Sequence, residues 1–175
     1  MQCIAGAKHG GAEAFFTRLV LALHRAGLDQ RVVLRANPGR EKQLTDGGVT
    51  AQTLAFGGKL DISTRLKLRR EITRYKPQVV LSWMNRAAAF CPPPRGRFVH
   101  CGRLGGYYDL KYYHACDHLV GNTRGIVRYL VDRGWPEARV HYLPNFVSTG
   151  AVDPVPRRNL STPDDCAVIL ALGRL

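Results

Sequence analysis

The residues with chemistry to offer begin at Lys8-His9-Gly10-Gly11, between a short apolar run at Ile4-Ala5 and a helical pattern at Phe16, Leu19, Val20 and Leu23. Two hydrogen-bond donors sit beside a pair of glycines where a helix opens. The first amides of a helix have no intrahelical acceptor and favour negative charge. Glycine lets such a turn take positive φ and lets a ligand come close to the backbone. The stretch reads as a phosphate or sugar pocket at the carboxyl end of a first strand. It reads equally as a plain strand-to-helix turn that needs glycine for its geometry, because it is not a G-x-G-x-x-G motif.

Donors recur at later strand ends: Asn85, Arg86, Arg103, Asn122 and Asn145. Carboxylates there are scarce, with only Glu13 and Asp109. Glu13 is assigned to the start of the first helix, as a cap or charge match, ahead of a role as a base. An edge rich in donors and poor in acids suits an anionic or polyhydroxyl ligand. Trp83, Tyr107 and Tyr108 can stack on a sugar face or serve as core and rim packing. His100, Cys101, His114, Cys116 and His118 fall close together, but their spacing matches no zinc pattern, so no metal is expected. No G-x-S-x-G or Cys-His signature of a nucleophile is present.

These residues need a scaffold. Strands are expected at Gln30–Leu34, Val49–Leu54, Gln78–Trp83, Phe98–Cys101, Asp117–Gly121 and Val140–Leu143, after a short first strand at Ile4-Ala5. Between them, helices are expected from Ala14 to Leu23, from Arg40 to Asp46 after a loop at Asn37-Pro38-Gly39, and from Asp61 to about Tyr75. Asp61 is the N-cap of the third, and Ile62, Leu66, Ile72 and Tyr75 line its inner face. A short helix follows Met84, one or two helical turns lie in Leu110–Cys116, and Asn122 caps a helix carrying Ile126, Val127, Leu130 and Val131. Strands alternating with helices give an α/β protein with a mostly parallel sheet. In such sheets ligands sit beyond the carboxyl ends of the strands. The turns Lys8–Glu13, Trp83–Arg86, Gly102–Asp109, Gly121–Thr123 and Pro144–Phe146 should open on one edge.

The chain has 175 residues, enough for one domain with a real core. Residues 146–165 hold prolines and small hydroxyl residues and read as a linker. Cys166–Gly173 reads as a fresh apolar strand, the first element of a second domain. Five widely spaced cysteines without a C-x-x-C point to reduced thiols. There is no membrane-length apolar run and no signal-peptide pattern. The expected setting is the cytoplasm, or the periphery of the inner membrane face. Twenty-six Lys and Arg against thirteen Asp and Glu give a net charge of +13. Such charge admits nucleic acid, an anionic membrane surface or a phosphorylated substrate as partner. The run Arg65-Leu66-Lys67-Leu68-Arg69-Arg70 lies on one helix and suits a solvated face or a membrane surface. No basic-aromatic module for nucleic acid is present, so that partner is set aside.

Four blocks together resemble the amino-terminal half of family-4 glycosyltransferases with the GT-B fold. They are Gly10-Gly11-Ala12-Glu13, Gly121-Asn122-Thr123 with Gly134-Trp135-Pro136, Arg139 to Val147, and Leu170 to Leu175. The resemblance implies a Rossmann-like acceptor-binding domain over 1–145, a linker over 146–165, and over 166–175 the first strand of an incomplete nucleotide-sugar domain. It implies transfer of a sugar from a nucleotide-sugar to a lipid-linked or polysaccharide acceptor, as in lipopolysaccharide or other envelope synthesis, without a metal. By the same carry-over Gly10, Gly11 and Arg174 meet the donor phosphates, and His100 or Arg103 fills the place of the family's usual histidine. Lys8, His9, Trp83, Asn85, Tyr107, Asn122 and Asn145 face the acceptor. Two other readings stand beside it. One is a non-enzymatic basic α/β module that binds anionic ligands or a membrane surface. The other is a sugar-nucleotide epimerase of the same architecture, which would need acid-base carboxylates that the strand ends hardly supply.

Overall fold

The computed structural model of the chain describes residues 1–58, 60–147, 153, 155–160, 162, 163, 165–169 and 171. Among the described residues there are seven strands: β1 (Gln2–Ile4), β2 (Val32–Arg35), β3 (Ala51–Leu54), β4 (Val79–Trp83), β5 (Val99–Leu104), β6 (His118–Gly121) and β7 (Val140–Tyr142). Five α-helices connect them: α1 (Gly11–Arg25), α2 (Pro38–Asp46), α3 (Ile62–Tyr75), α4 (Met84–Phe90) and α5 (Arg124–Asp132). The strands form one sheet in the order β3-β2-β1-β4-β5-β6-β7, and every pairing is parallel. All seven carboxyl ends therefore lie along one edge. The order reverses between β1 and β4, where an open α/β sheet leaves a crevice.

Alternation along the strands sends side chains to both faces. Ile4, Val32, Leu34 and Trp83 pack with Phe15, Phe16, Leu19 and Val20 of α1 and Leu44 of α2. Cys3, Val33 and Val80 face the other way, onto Leu68 and Ile72 of α3 and Ala87 and Phe90 of α4. A third cluster joins Leu104 and Leu119 to Tyr113, Cys116, Ile126 and Leu130. Burying one such phenylalanine contributes about 2–3 kcal/mol, so the paired rings of α1 fix that helix against the crevice.

Three local expectations change. In α3 the buried residues are Thr64, Leu68, Glu71 and Ile72, while Ile62 and Leu66 are 63% and 60% exposed. The helix has apolar residues on two stripes, and contacts outside it choose between them. The Thr64 hydroxyl accepts the Phe56 amide at 3.2 Å, and Arg65 lies over the Phe90 ring. The cap of α5 is Thr123, whose hydroxyl accepts the Ile126 amide at 3.1 Å, and not Asn122. Helix α2 begins at Pro38, with Asn37 as cap, where a loop was expected. Proline at the first helical position after a capping asparagine is a helix start. Asp61 caps α3 as read from the sequence, accepting the Thr64 amide at 2.9 Å.

Beyond β7, Arg157–Leu160 form a short 3-10 turn. Residues 166–169 and 171 are described and carry no strand; Ile169 is exposed, and a strand needs a hydrogen-bonded neighbour. The rest of the expected last strand, Arg174 included, lies outside the described residues.

Candidate functional site at the carboxyl edge

The loop after β1 is built around Glu13. This buried carboxylate reaches back from the first turn of α1, and its Oε1 accepts the Ala7 amide at 2.8 Å. A Cβ at Gly10 would stand 2.2 Å from Glu13 Oε2, and one at Gly6 would stand 2.6 Å from Glu13 Cγ. Gly10 is thus required by the carboxylate and not by its own backbone, which is extended at φ 168°. Gly11 differs: a Cβ there meets nothing within 4 Å. Neither glycine takes the left-handed backbone expected of the pair. Glu13 closes the loop and does not cap its helix.

Between this loop and α2 lies a cleft of about 330 Å³, lined by Lys8, His9, Gly10, Glu13, Ala14, Thr17, Asn37, Gly39, Arg40 and Gln43. Arg40 is 5% exposed. Its Nη2 donates to the Ala7 carbonyl at 3.1 Å, and its Nη1 has no hydrogen-bond partner among the described residues. Burial lowers its pKa, and the Glu13 charge opposes the shift. Sequence reasoning missed Arg40. The signal was Asn37-Pro38, which puts the first turn of α2, and Arg40 in it, on the same edge.

Arg103, at the end of β5, is fully buried. Its guanidinium lies 4.6 Å from the ring centroids of both Phe15 and Trp83. Its Nη2 donates to the Leu143 carbonyl at 3.2 Å and to Asn145 Oδ1 at 2.7 Å. Phe146 meets Phe15 edge-on at 4.8 Å. Arg103 thereby anchors the segment after β7 over the crevice. Among the described residues no carboxylate pairs with it and its Nε has no partner, and burial pulls its pKa down to about 10.

The other sequence-nominated residues divide. Lys8 and His9 are exposed in the cleft. Tyr107 is 68% exposed, meets Tyr129 edge-on and carries its hydroxyl over Gly125. Asn122 follows β6 with a buried Oδ1 that has no partner among the described residues. Asn85 Oδ1 accepts from the Tyr113 hydroxyl at 2.8 Å. Trp83 lies in the core, with its indole N–H donating to Gln2 Oε1 at 3.2 Å, so no ring face is open to a sugar.

His100 is 0% exposed. It sits near the start of β5, away from the carboxyl edge. Its Nδ1–H donates to the Ala115 carbonyl at 3.1 Å, which leaves Nε2 to accept from the Ser82 hydroxyl at 2.9 Å. Burial lowers its pKa. Neither His100 nor Arg103 presents its side chain to solvent. The dense His and Cys stretch is divided: His100 lies beside Cys116, His114 bonds its own turn, and His118 pairs with His141 at 3.0 Å. Among the described residues no three His, Cys, Asp or Glu are grouped to hold a metal.

Three of the buried polar atoms left without partners among the described residues, Arg40 Nη1, Arg103 Nε and Asn122 Oδ1, belong to residues at or just beyond strand carboxyl ends. Buried polar atoms are normally paired, so these three stand out from the rest of the fold.

The profile of Glycosyltransferase Family 4 matches residues 9–151. The chain is 35% identical over 169 residues to the lipopolysaccharide core biosynthesis glycosyltransferase LpsE of Rhizobium meliloti (strain 1021), covering 95% of this chain and 49% of that one. Among solved structures, the apo form of the lipopolysaccharide outer core galactosyltransferase WaaB superposes with a TM-score of 0.63 at 15% identity, covering 91% of this chain and 50% of WaaB. Anabaena Alr3699/HepE in complex with UDP superposes with a TM-score of 0.62 at 12% identity, covering 82% and 43%. The chain spans about half the length of the relatives it matches.

Proposed function

The chain belongs to glycosyltransferase family 4, and from that premise we propose that residues 1–145 form the acceptor-binding domain of a sugar transferase. The enzyme moves a sugar from a nucleotide-sugar to a lipid-linked or polysaccharide acceptor in lipopolysaccharide synthesis. LpsE is a lipopolysaccharide core glycosyltransferase by name, and HepE was solved with UDP. In this reading the donor is held by a further domain, joined through 146–165 and beginning at 166–175. No metal takes part: basic side chains and helix amides meet the diphosphate, with Gly10, Gly11 and Arg174 on its side.

The observation that carries this reading is the carboxyl edge itself, where unpartnered atoms of Arg40, Arg103 and Asn122 accompany an open cleft. Lys8, His9, Tyr107 and Asn122 meet the acceptor. Arg103 is a positioning residue, because it holds Asn145 and Phe146 over the crevice. His100 supports β5 from the core. Gly11 leaves space at the opening of α1 for a ligand to approach its first amides.

The same protein works at an anionic inner-membrane surface. Leu60, Ile62 and Leu66 are exposed beside Arg65, Arg69 and Arg70. A groove of about 710 Å³ adjoins them, floored by Ala88, Ala89, Phe90, Pro92 and Pro93 and edged by Arg65, Arg69 and Lys111. Apolar residues among arginines suit the boundary between headgroups and acyl chains.

The test is a titration of the 175-residue chain with UDP-glucose and, separately, with deacylated lipopolysaccharide core oligosaccharide, followed by amide chemical shifts. The oligosaccharide should perturb residues 8–14, 105–108 and 122–124, and UDP-glucose should bind only weakly. Tight UDP-glucose binding, or sugar transfer by this chain alone, would overturn the division of labour.

A further inference from the structure

The cleft between α1 and α2 is specialised beyond what an acceptor of hydroxyl groups needs. Two helices begin at it. Gly10 gives α1 no side-chain cap hydrogen bond, and Gly10, Glu13 and Ala14 line the cleft from that side. Asn37 is fully engaged: its Oδ1 accepts the Arg40 amide at 3.0 Å, and its Nδ2 donates to the Lys8 carbonyl at 3.1 Å. Glu13 is the one carboxylate in the lining. It is turned into the loop, with Oε1 on the Ala7 amide and Oε2 against Gly10. The cations, by contrast, keep donors in hand. Lys8 is exposed and its ammonium makes no hydrogen bond or ion pair among the described residues. Arg40 Nη1 is buried and has no partner. A buried guanidinium donor without an acceptor is an expensive arrangement unless something charged arrives to meet it.

We propose that this cleft is an anion subsite, in which Arg40 and Lys8 seat a carboxylate or phosphate monoester carried by the acceptor saccharide. The inference rests on the acceptor reading above and narrows it to acidic or phosphorylated sugars. Its volume of about 330 Å³ is within the range of small-molecule sites. His9 lines the mouth as a further donor.

The test uses the 175-residue chain and four probes: glucuronate, glucose 6-phosphate, inorganic phosphate and glucose. Binding is followed by amide chemical shifts at 8–14 and 37–43. Glucuronate and glucose 6-phosphate should bind about tenfold or more tighter than glucose, the scale of one charge-assisted contact. Added NaCl should erode that margin. The carboxylate and phosphate arms report which anion fits better. Lys8→Ala, at an exposed position, should cut the preference several-fold without altering the fold, and Arg40→Lys should cut it while keeping the charge. Equal binding of glucose and both anions at this cleft would overturn the anion subsite and leave the acceptor reading standing. Perturbation by all four probes only at other surfaces would overturn both. Anion binding that ignores both substitutions would also overturn the proposal.

Discussion

The guanidinium of Arg103 donates to the side-chain oxygen of Asn145, 42 residues further along the chain, at 2.7 Å. Both residues stand out in the sequence as donors at strand ends. In the folded chain one donates and the other accepts, so their bond ties β5 to the segment that follows β7. With Phe15 and Trp83 under the guanidinium, this is the principal tether of that segment.

Removing the acceptor should free the tether without disturbing the core. For Asn145→Ala we expect faster amide exchange at 143, 145 and 146 and a loss of about 1–2 kcal/mol in chemical denaturation. Arg103→Met should cost more, about 2–4 kcal/mol, because the Leu143 carbonyl and the stacked rings also lose their partner. A double-mutant cycle in which the two losses simply add would refute direct coupling.

The two adjacent glycines should behave oppositely. Gly10→Ala pushes a Cβ onto Glu13 and forces the carboxylate off the Ala7 amide. The expected loss is about 1–3 kcal/mol. Gly11→Ala places its Cβ in open space at a helix start and should leave stability unchanged or raise it by up to about 1 kcal/mol. Paired urea melts decide the matter; a comparable loss at both positions would contradict this account of the loop.

The buried imidazole of His100 gives a pH signature. Burial lowers its folded pKa, whereas the unfolded value stays near 6.5. Below about pH 6.5 the unfolded chain takes up a proton that the native chain resists, so stability is lost as pH falls through that value, and the loss levels off below the folded pKa. Melting temperature should therefore drop as pH falls below about 6.5. In His100→Gln, which can still donate and accept, that slope should flatten. An unchanged slope would exclude His100 as its source.

The outer stripe of α3 should bind membranes by charge and apolar contact together. Flotation with phosphatidylglycerol vesicles should capture the chain and phosphatidylcholine vesicles should not. Each arginine near such a surface is worth about 1 kcal/mol, so Arg69→Glu with Arg70→Glu should lower partitioning by about tenfold or more. Leu66→Ser should lower it without changing its salt dependence. Equal capture by neutral vesicles would count against the electrostatic part.

Much of the fold is written locally. The apolar spacing of Phe16, Leu19, Val20 and Leu23 and the run Val79-Val80-Leu81 announce α1 and β4, because period and composition are properties of neighbours in sequence. The rotation of α3 is not local: Ile62 and Leu66 look like core until Phe56 and Phe90 take their places on the other side. The same limit applies to the site. The donor-rich edge is legible as soon as the strands are parallel. Which of these side chains are already engaged is a matter of partners far away in sequence: Trp83 donates to Gln2, Asn85 accepts from Tyr113, and Arg103 donates to Asn145. Arg40 was hidden because the loop reading of Asn37-Pro38-Gly39 removed the helix turn that carries it to the edge.

The unpartnered atoms of Arg40 and Asn122 have a consequence for anyone selecting sturdier variants of this domain. Each such atom costs the resting fold about 1–3 kcal/mol, so substitutions that silence them should surface early in a thermostability screen. Their cost would appear elsewhere, as proteins that melt late and no longer recognise their ligand. The edge is therefore a place where robustness and recognition compete for the same side chains, and a library ranked on heat resistance alone would drift towards inert domains.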